Sequence, residues 1–147
     1  MAAEDQSAFL IATFHLGPAL MGIDCLEVQE VIRAGDITNV PHAPDHILGI
    51  INLRGRIVTV MDLGKKLGLD AVEVTPDSRI IILNREDEYI GLLVDGVSDP
   101  VPADSTQIMP APSNVKGIHG RFFAGVYNAS NRLIALLNSE RVLADER

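Results

Sequence analysis

Short runs of β-branched residues, separated by turn residues, constrain the fold of this chain more than any other feature of its sequence. The clearest case is residues 50–63, where two apolar runs flank the dipeptide Arg54-Gly55. Ile and Val suit the pleated surface of a sheet, and glycine gives a tight turn its backbone freedom. This stretch predicts a β-hairpin over residues 52–62 with Arg54 at its tip.

Similar runs continue along the chain, and turn residues interrupt them about every ten positions, as in all-β domains. Further strands are predicted over residues 9–16, 20–23, 28–33, 79–84, 88–94, 95–101, 122–128 and 132–137. In residues 28–33 the alternation predicts that Val28 and Val31 lie on opposite faces, so at least one of them belongs to the core. The pattern indicates a small barrel or sandwich, repeated end to end, with a boundary near residues 70–78.

Four polar residues are predicted to begin short helical segments. Asp24 is followed by Glu27 in a capping-box pattern, and Asp45 precedes a turn over residues 46–48. Asp62 is the predicted N-cap of a helix that ends at Gly68, and Asn138 that of a C-terminal helix ending near Ala144. Residues 102–114, with three prolines, are predicted to form a loop or an edge crossing.

Composition limits the classes of function. The net charge of −8 disfavours binding to a phosphate backbone, so no nucleic-acid partner is expected. A single cysteine, Cys25, excludes an internal disulfide and fits a reducing compartment. No apolar run reaches the length of a membrane span, and no signal segment precedes the first strand, so we expect a cytoplasmic protein without direct membrane insertion.

The residues do not assemble a catalytic or metal site. The sequence contains no GxSxG, no glycine-rich phosphate loop and no CxxC. Pro44 lies between His42 and His46, so these two cannot share a helix face as paired metal ligands. Cys25 follows a predicted helix cap, where a thiolate is favoured, but no base lies near it and a packed apolar role is the more frequent one. We expect no enzyme activity, no metal and no cofactor.

The chain resembles the CheW-like coupling proteins of bacterial chemotaxis. The segments that carry the resemblance are residues 9–17, 22–24, 28–31, 37–38, 40–41, 49–55, 60–63, 91–97 and 133–138. The combination of Asn52-Leu53-Arg54-Gly55 with Val94-Asp95-Gly96-Val97 at this separation is specific, whereas each tetrapeptide alone is weak.

The resemblance implies a mainly β fold: two SH3-like five-stranded β-barrel subdomains packed together, with a few short helices including a C-terminal one. Residues 1–147 would form one CheW-like domain with approximate subdomains at 18–76 and 77–137. Segments 8–17 and 138–147 would pack across the two.

The resemblance also implies a function. Such a protein is a non-enzymatic adaptor that couples the cytoplasmic tip of a chemoreceptor to the regulatory domain of a CheA-type histidine kinase. It would associate with membrane-proximal receptor arrays through these partners. The alternative is a CheW-like regulatory binding module in a pathway other than chemotaxis, such as surface motility or another two-component system.

The resemblance implies that seven residues form the receptor-binding groove. They are Val28, Glu30, Val31, Gly49, Asn52, Leu53 and Arg54. Val28, Val31 and Leu53 would supply apolar anchors, while Arg54 and Glu30 set the polar register. Alternatively, Glu30 pairs with Arg54 inside this protein and orients the arginine. The sequence does not identify the kinase-binding residues.

Overall fold

The computed structural model describes residues 7–144, which form mainly β-strands with a few short helices. The strands are β1 (Ala8–Leu16), β2 (Ala19–Asp24), β3 (Val28–Arg33), β4 (Ile47–Leu53), β5 (Arg56–Asp62), β6 (Arg79–Arg85), β7 (Glu88–Val94), β8 (Gly96–Val97), β9 (Val101–Asp104), β10 (Asn114–Val115), β11 (Ile118–His119), β12 (Phe123–Ala129) and β13 (Arg132–Leu137). The helices are α1 (Leu63–Lys66) and α2 (Ser139–Leu143), with single 3₁₀ turns at Cys25–Glu27, Ser105–Gln107 and Gly120–Phe122. The predicted mainly β fold class is confirmed.

The strands form two main sheets and one separate hairpin. The first sheet has the order β12-β13-β2-β1-β8, and β9 also pairs with β1. Because β9 pairs with the first half of β1 and β8 with its second half, the six strands occupy five positions. The second sheet has the order β3-β6-β7-β5-β4, while β10 and β11 pair with each other.

The subdomain limits predicted at 18–76 and 77–137 do not coincide with these sheets. The second sheet uses β3 to β7, because β6 and β7 return to pair with β3 and β5. The first sheet takes strands from both ends of the chain. The segment 8–17 contains β1, an inner strand of the first sheet, and α2 buries Val142 in the core. Residues 145–147 lie outside the described range.

Buried aliphatic residues join the two sheets. One cluster contains Phe14 and Met21 of the first sheet together with Ile81 and Leu92 of the second. Four consecutive residues of β6, from Ile80 to Leu83, are at most 2% exposed. A strand buried on both faces loses the alternation of apolar and polar residues, and this explains the unbroken apolar run at 80–83.

Two local predictions are wrong. Residues 47 and 48 do not continue a helical turn from Asp45; they begin β4. The single strand predicted over 95–101 is instead two strands, β8 at Gly96–Val97 and β9 from Val101, and β9 continues through Pro102 to Asp104. Strand β9 pairs only with β1 in the described sheet, and an edge strand tolerates a residue without an N–H.

Three of the four predicted caps are confirmed. The Asp24 side chain accepts a hydrogen bond from the Leu26 N–H, and the Asp62 side chain accepts one from the Lys65 N–H. Asn138 accepts one from the Arg141 N–H at the start of α2. Each contact joins residues two or three positions apart.

Four hairpins turn through two residues with positive φ, the geometry of type I′ turns. These pairs are Arg54-Gly55, Glu86-Asp87, Lys116-Gly117 and Ser130-Asn131. An asparagine stands two positions before each pair, and in three hairpins its Oδ1 accepts a hydrogen bond from the second turn residue. The turn at 116–117 was not predicted, whereas the last turn lies between the strands predicted at 122–128 and 132–137.

Candidate partner-binding site

The second sheet brings its two edge strands together at one end. Strands β3 and β4 lie at opposite edges, and four interstrand steps would separate them by about 19 Å in a flat sheet. Nevertheless, Arg54 Nη2 at the end of β4 donates a hydrogen bond to Glu30 Oε2 on β3. The sheet must therefore curl so that its edges meet, which is the arrangement of a small barrel.

Arg54 occupies a conformation that non-glycine residues rarely adopt. Its φ is 51°, and left-handed backbone costs an L-residue about 1–2 kcal/mol. The hairpin compensates locally: Asn52 Oδ1 accepts a hydrogen bond of 2.8 Å from the Gly55 N–H. The guanidinium is thus presented from a fixed turn rather than from a flexible loop.

The ion pair between Arg54 and Glu30 is exposed to solvent. The Arg54 side chain is 70% exposed and that of Glu30 is 27% exposed. Exposed pairs of this kind stabilise a fold by roughly 0–1 kcal/mol. The pair therefore orients the arginine without holding it strongly.

The apolar residues carried over to the groove have different environments. Val31 is 41% exposed, whereas Val28 is half-buried and packs against the core, as the alternation along β3 predicted. Leu53 is also half-buried against the core. Val31 is therefore the exposed apolar residue on this part of β3.

Gly49 is buried and offers no side chain to a partner. A Cβ at this position would lie 2.0 Å from the Thr38 carbonyl oxygen. The close approach allows Thr38 and Ile50 to exchange two backbone hydrogen bonds of 2.9 and 2.8 Å. Gly49 shapes the edge of β4, and a small residue is required there for packing reasons alone.

Sequence reasoning did not identify Arg56 and its neighbours. The Arg56 guanidinium carbon lies 3.9 Å from the centroid of the Tyr89 ring, and its Nη2 is 3.4 Å from the Asp87 carbonyl oxygen. Next to it, Ile57 is 57% exposed. The repeated arginine of Arg54-Gly55-Arg56 was the available signal, but the Tyr89 partner depends on the parallel pairing of β5 and β7.

A separate apolar groove lies on the first sheet. It has a volume of ≈ 370 Å³, and its lining includes Met109, Val126, Leu133 and Lys116. Met109 is 45% exposed and Leu133 is 60% exposed. Exposed apolar residues that line a preformed concavity are typical of interaction surfaces.

A reactive or metal-binding site would draw on the single cysteine and on the acidic and histidine side chains. Partial burial and the neighbouring Asp24 carboxylate raise the pKa of the Cys25 thiol, which disfavours the thiolate. Within residues 7–144, no three His, Cys, Asp or Glu side chains converge as a metal site. In the same range no helix has the length and apolar character needed to cross a bilayer.

Known proteins are similar to this chain in sequence and in overall fold. Residues 11–147 match the family model described as a CheW-like domain. The chain is 36% identical over 138 residues to the chemotaxis protein CheW of Klebsiella aerogenes, covering 94% of this chain and 82% of the relative. It is 32% identical to CheW of Rhizobium meliloti, covering 92% and 88%. The crystal structure of the scaffolding protein TtCheW from Thermoanaerobacter tengcongensis superposes with a TM-score of 0.85 at 35% identity, covering 94% and 89%.

Proposed function

Since the chain belongs to the CheW-like family, we propose that it is an adaptor without catalytic activity that couples chemoreceptors to a CheA-type histidine kinase. The observation that carries the proposal is Arg54, which is presented at a hairpin tip and, within residues 7–144, forms an ion pair with Glu30 alone. An arginine in this position is suited to recognition rather than to acid–base chemistry, because it stays charged at neutral pH.

The proposed receptor-binding surface contains the Arg54 turn, with Val31 of β3 and Ile57 of β5 as the exposed apolar residues of the same sheet. A planar guanidinium can form two parallel hydrogen bonds with a carboxylate. In the free protein a single Nη2–Oε2 hydrogen bond joins Arg54 to Glu30. Replacement of Glu30 by a receptor carboxylate as the partner of Arg54 would cost little free energy, because the internal ion pair is exposed. Asn52 and Gly49 act on this surface indirectly, by fixing the turn and the edge of β4.

An adaptor also needs a second surface, and the apolar groove around Leu133 is suited to the kinase regulatory domain. It lies on the first sheet, whereas Arg54 belongs to the second, so the two partners are assigned to separate surfaces. The adaptor would act at receptor arrays on the cytoplasmic side of the membrane, where it is recruited by its partners.

Reconstitution tests the proposal. Membranes carrying a chemoreceptor are mixed with the kinase and this protein, and kinase autophosphorylation and co-sedimentation are measured. We expect the protein to raise kinase activity in a receptor-dependent manner and Arg54→Glu to abolish this effect. Arg121→Glu is the matched control, because it reverses an exposed arginine that belongs to neither the Arg54 turn nor the lining of the apolar groove.

Two results would separate this proposal from the alternatives. Binding of the kinase without any effect of receptors would favour a regulatory module in another pathway. If Arg54→Glu and Arg121→Glu activate the kinase as well as the unmodified protein does, the receptor surface lies elsewhere.

A further inference from the structure

The turn between β4 and β5 is held from two sides. On one side Arg54 pairs with Glu30 of β3. On the other side Arg56 stacks on the Tyr89 ring of β7 at 3.9 Å and approaches the Asp87 carbonyl at 3.4 Å. The two arginines therefore connect one turn to three neighbouring parts of the second sheet.

The environment of Arg56 indicates that stacking, rather than ion pairing, fixes its side chain. Three acidic residues, Glu86, Asp87 and Glu88, lie in or next to the adjacent turn. Among the ion pairs within residues 7–144, none involves Arg56. A guanidinium over an aromatic face gains about 0.5–1 kcal/mol at an exposed site, and the planar group is restricted in orientation.

The backbone of this turn needs such a restraint. Arg54 has a φ of 51°, and once a partner carboxylate replaces Glu30 the contact to β3 is lost. The contacts of Arg56 do not involve Glu30, so they persist when Arg54 changes partner. Preorganisation of this kind increases affinity because less conformational entropy is lost on binding.

We propose that Arg56 and Tyr89 are positioning residues, which hold the β4–β5 turn so that Arg54 is oriented for a carboxylate on the receptor tip. This inference rests on the proposed function and deepens it. Arg56 itself does not contact the receptor carboxylate.

A double-mutant cycle tests the inference. Affinity for a receptor cytoplasmic fragment is measured for Arg56→Gln, Tyr89→Leu and the double variant. Because both substitutions remove the same contact, each should weaken binding about two- to five-fold, and the double variant should be no weaker than either single one. Tyr89→Phe keeps the ring face and should bind normally. Affinity for the kinase regulatory domain should be unchanged throughout.

A second readout reports on the turn itself. Backbone ¹⁵N relaxation of Arg54 and Gly55 in the free protein should show increased picosecond–nanosecond motion in Arg56→Gln and in Tyr89→Leu, but not in Tyr89→Phe. A general loss of structure would instead affect all strands and would also weaken kinase binding.

The outcomes distinguish the two proposals. If Arg54→Glu abolishes receptor binding while Arg56→Gln and Tyr89→Leu bind normally, the positioning role is wrong and the proposed function stands. If Tyr89→Phe is as weak as Tyr89→Leu, ring stacking is not the cause and the inference fails. If Arg54→Glu binds normally, the receptor surface is elsewhere and both proposals fail.

Discussion

Asp62 is the residue whose removal should be most informative about the fold. Its carboxylate is 1% exposed and serves two segments. Oδ1 accepts a hydrogen bond of 3.0 Å from the Lys65 N–H at the start of α1, and Oδ2 accepts one of 3.0 Å from the buried Val72 N–H. Asp62 thus caps the helix and fastens the chain that leads from α1 toward β6.

The cost of Asp62→Ala follows from these two contacts. Loss of an N-cap costs about 1 kcal/mol, and a buried N–H left without a partner costs about 1–3 kcal/mol. We therefore expect the free energy of unfolding to fall by about 2–4 kcal/mol. For a chain of this size each kcal/mol lowers Tm by roughly 2–4 °C, so the melting temperature should fall by roughly 4–16 °C.

Urea denaturation and a melting curve check this value, with two reference variants. Asp62→Asn retains one acceptor oxygen and should lose less stability. Asp24→Ala removes a cap with a single exposed hydrogen bond, to the Leu26 N–H at 2.9 Å, and should cost only about 0.5–1 kcal/mol. The reasoning is refuted if Asp62→Ala is no less stable than Asp24→Ala. Partner binding should be retained by the folded fraction.

Three further predictions concern single positions. Arg54→Glu and Arg54→Gly should each change the free energy of unfolding by less than about 1 kcal/mol, because the lost ion pair is exposed and glycine relieves the left-handed backbone. Both variants should nevertheless lose receptor binding, and unfolding of either one would show that Arg54 is structural. Gly49→Ala should lower the free energy of unfolding, measured by urea denaturation, by at least about 2 kcal/mol, since its Cβ would clash with the Thr38 carbonyl. Gly35→Ala has open space around its Cβ and should be neutral, so equal denaturation midpoints for the two variants would contradict this. Cys25 should react with iodoacetamide at pH 8 more slowly than a free thiol, because its raised pKa lowers the thiolate fraction. Cys25→Ser should couple receptors and kinase normally. Stoichiometric zinc in the untagged protein, or an enzyme activity lost in Cys25→Ser, would contradict the proposal of a non-enzymatic adaptor.

Much of the secondary structure was predictable from the sequence, because it depends on local interactions. Both limits of β1, β2, β3, β6, β7, β12 and β13 lie within one residue of the prediction, because β-branched runs and turn residues are short-range signals. The caps at Asp24, Asp62 and Asn138 were equally visible, since each hydrogen bond closes within three residues. The two-residue period of a strand predicted that Val28 and Val31 lie on opposite faces, and the structure shows that Val31 is the exposed one.

The tertiary structure alone decided how the strands combine. The interleaving of the sheets depends on pairings such as that of β5 with β7, whose partners are about thirty residues apart, so no local pattern encodes them. The same pairing places Tyr89 beneath Arg56, and the curl of the second sheet brings Arg54 to Glu30, a contact that the sequence offered only as an alternative. Gly49 needs its missing Cβ because Thr38 approaches it. Most strands, turns and caps were predictable because their energies depend on neighbouring residues. Sheet order and the environment of each candidate site residue depend on contacts between distant segments, which form only when the chain folds.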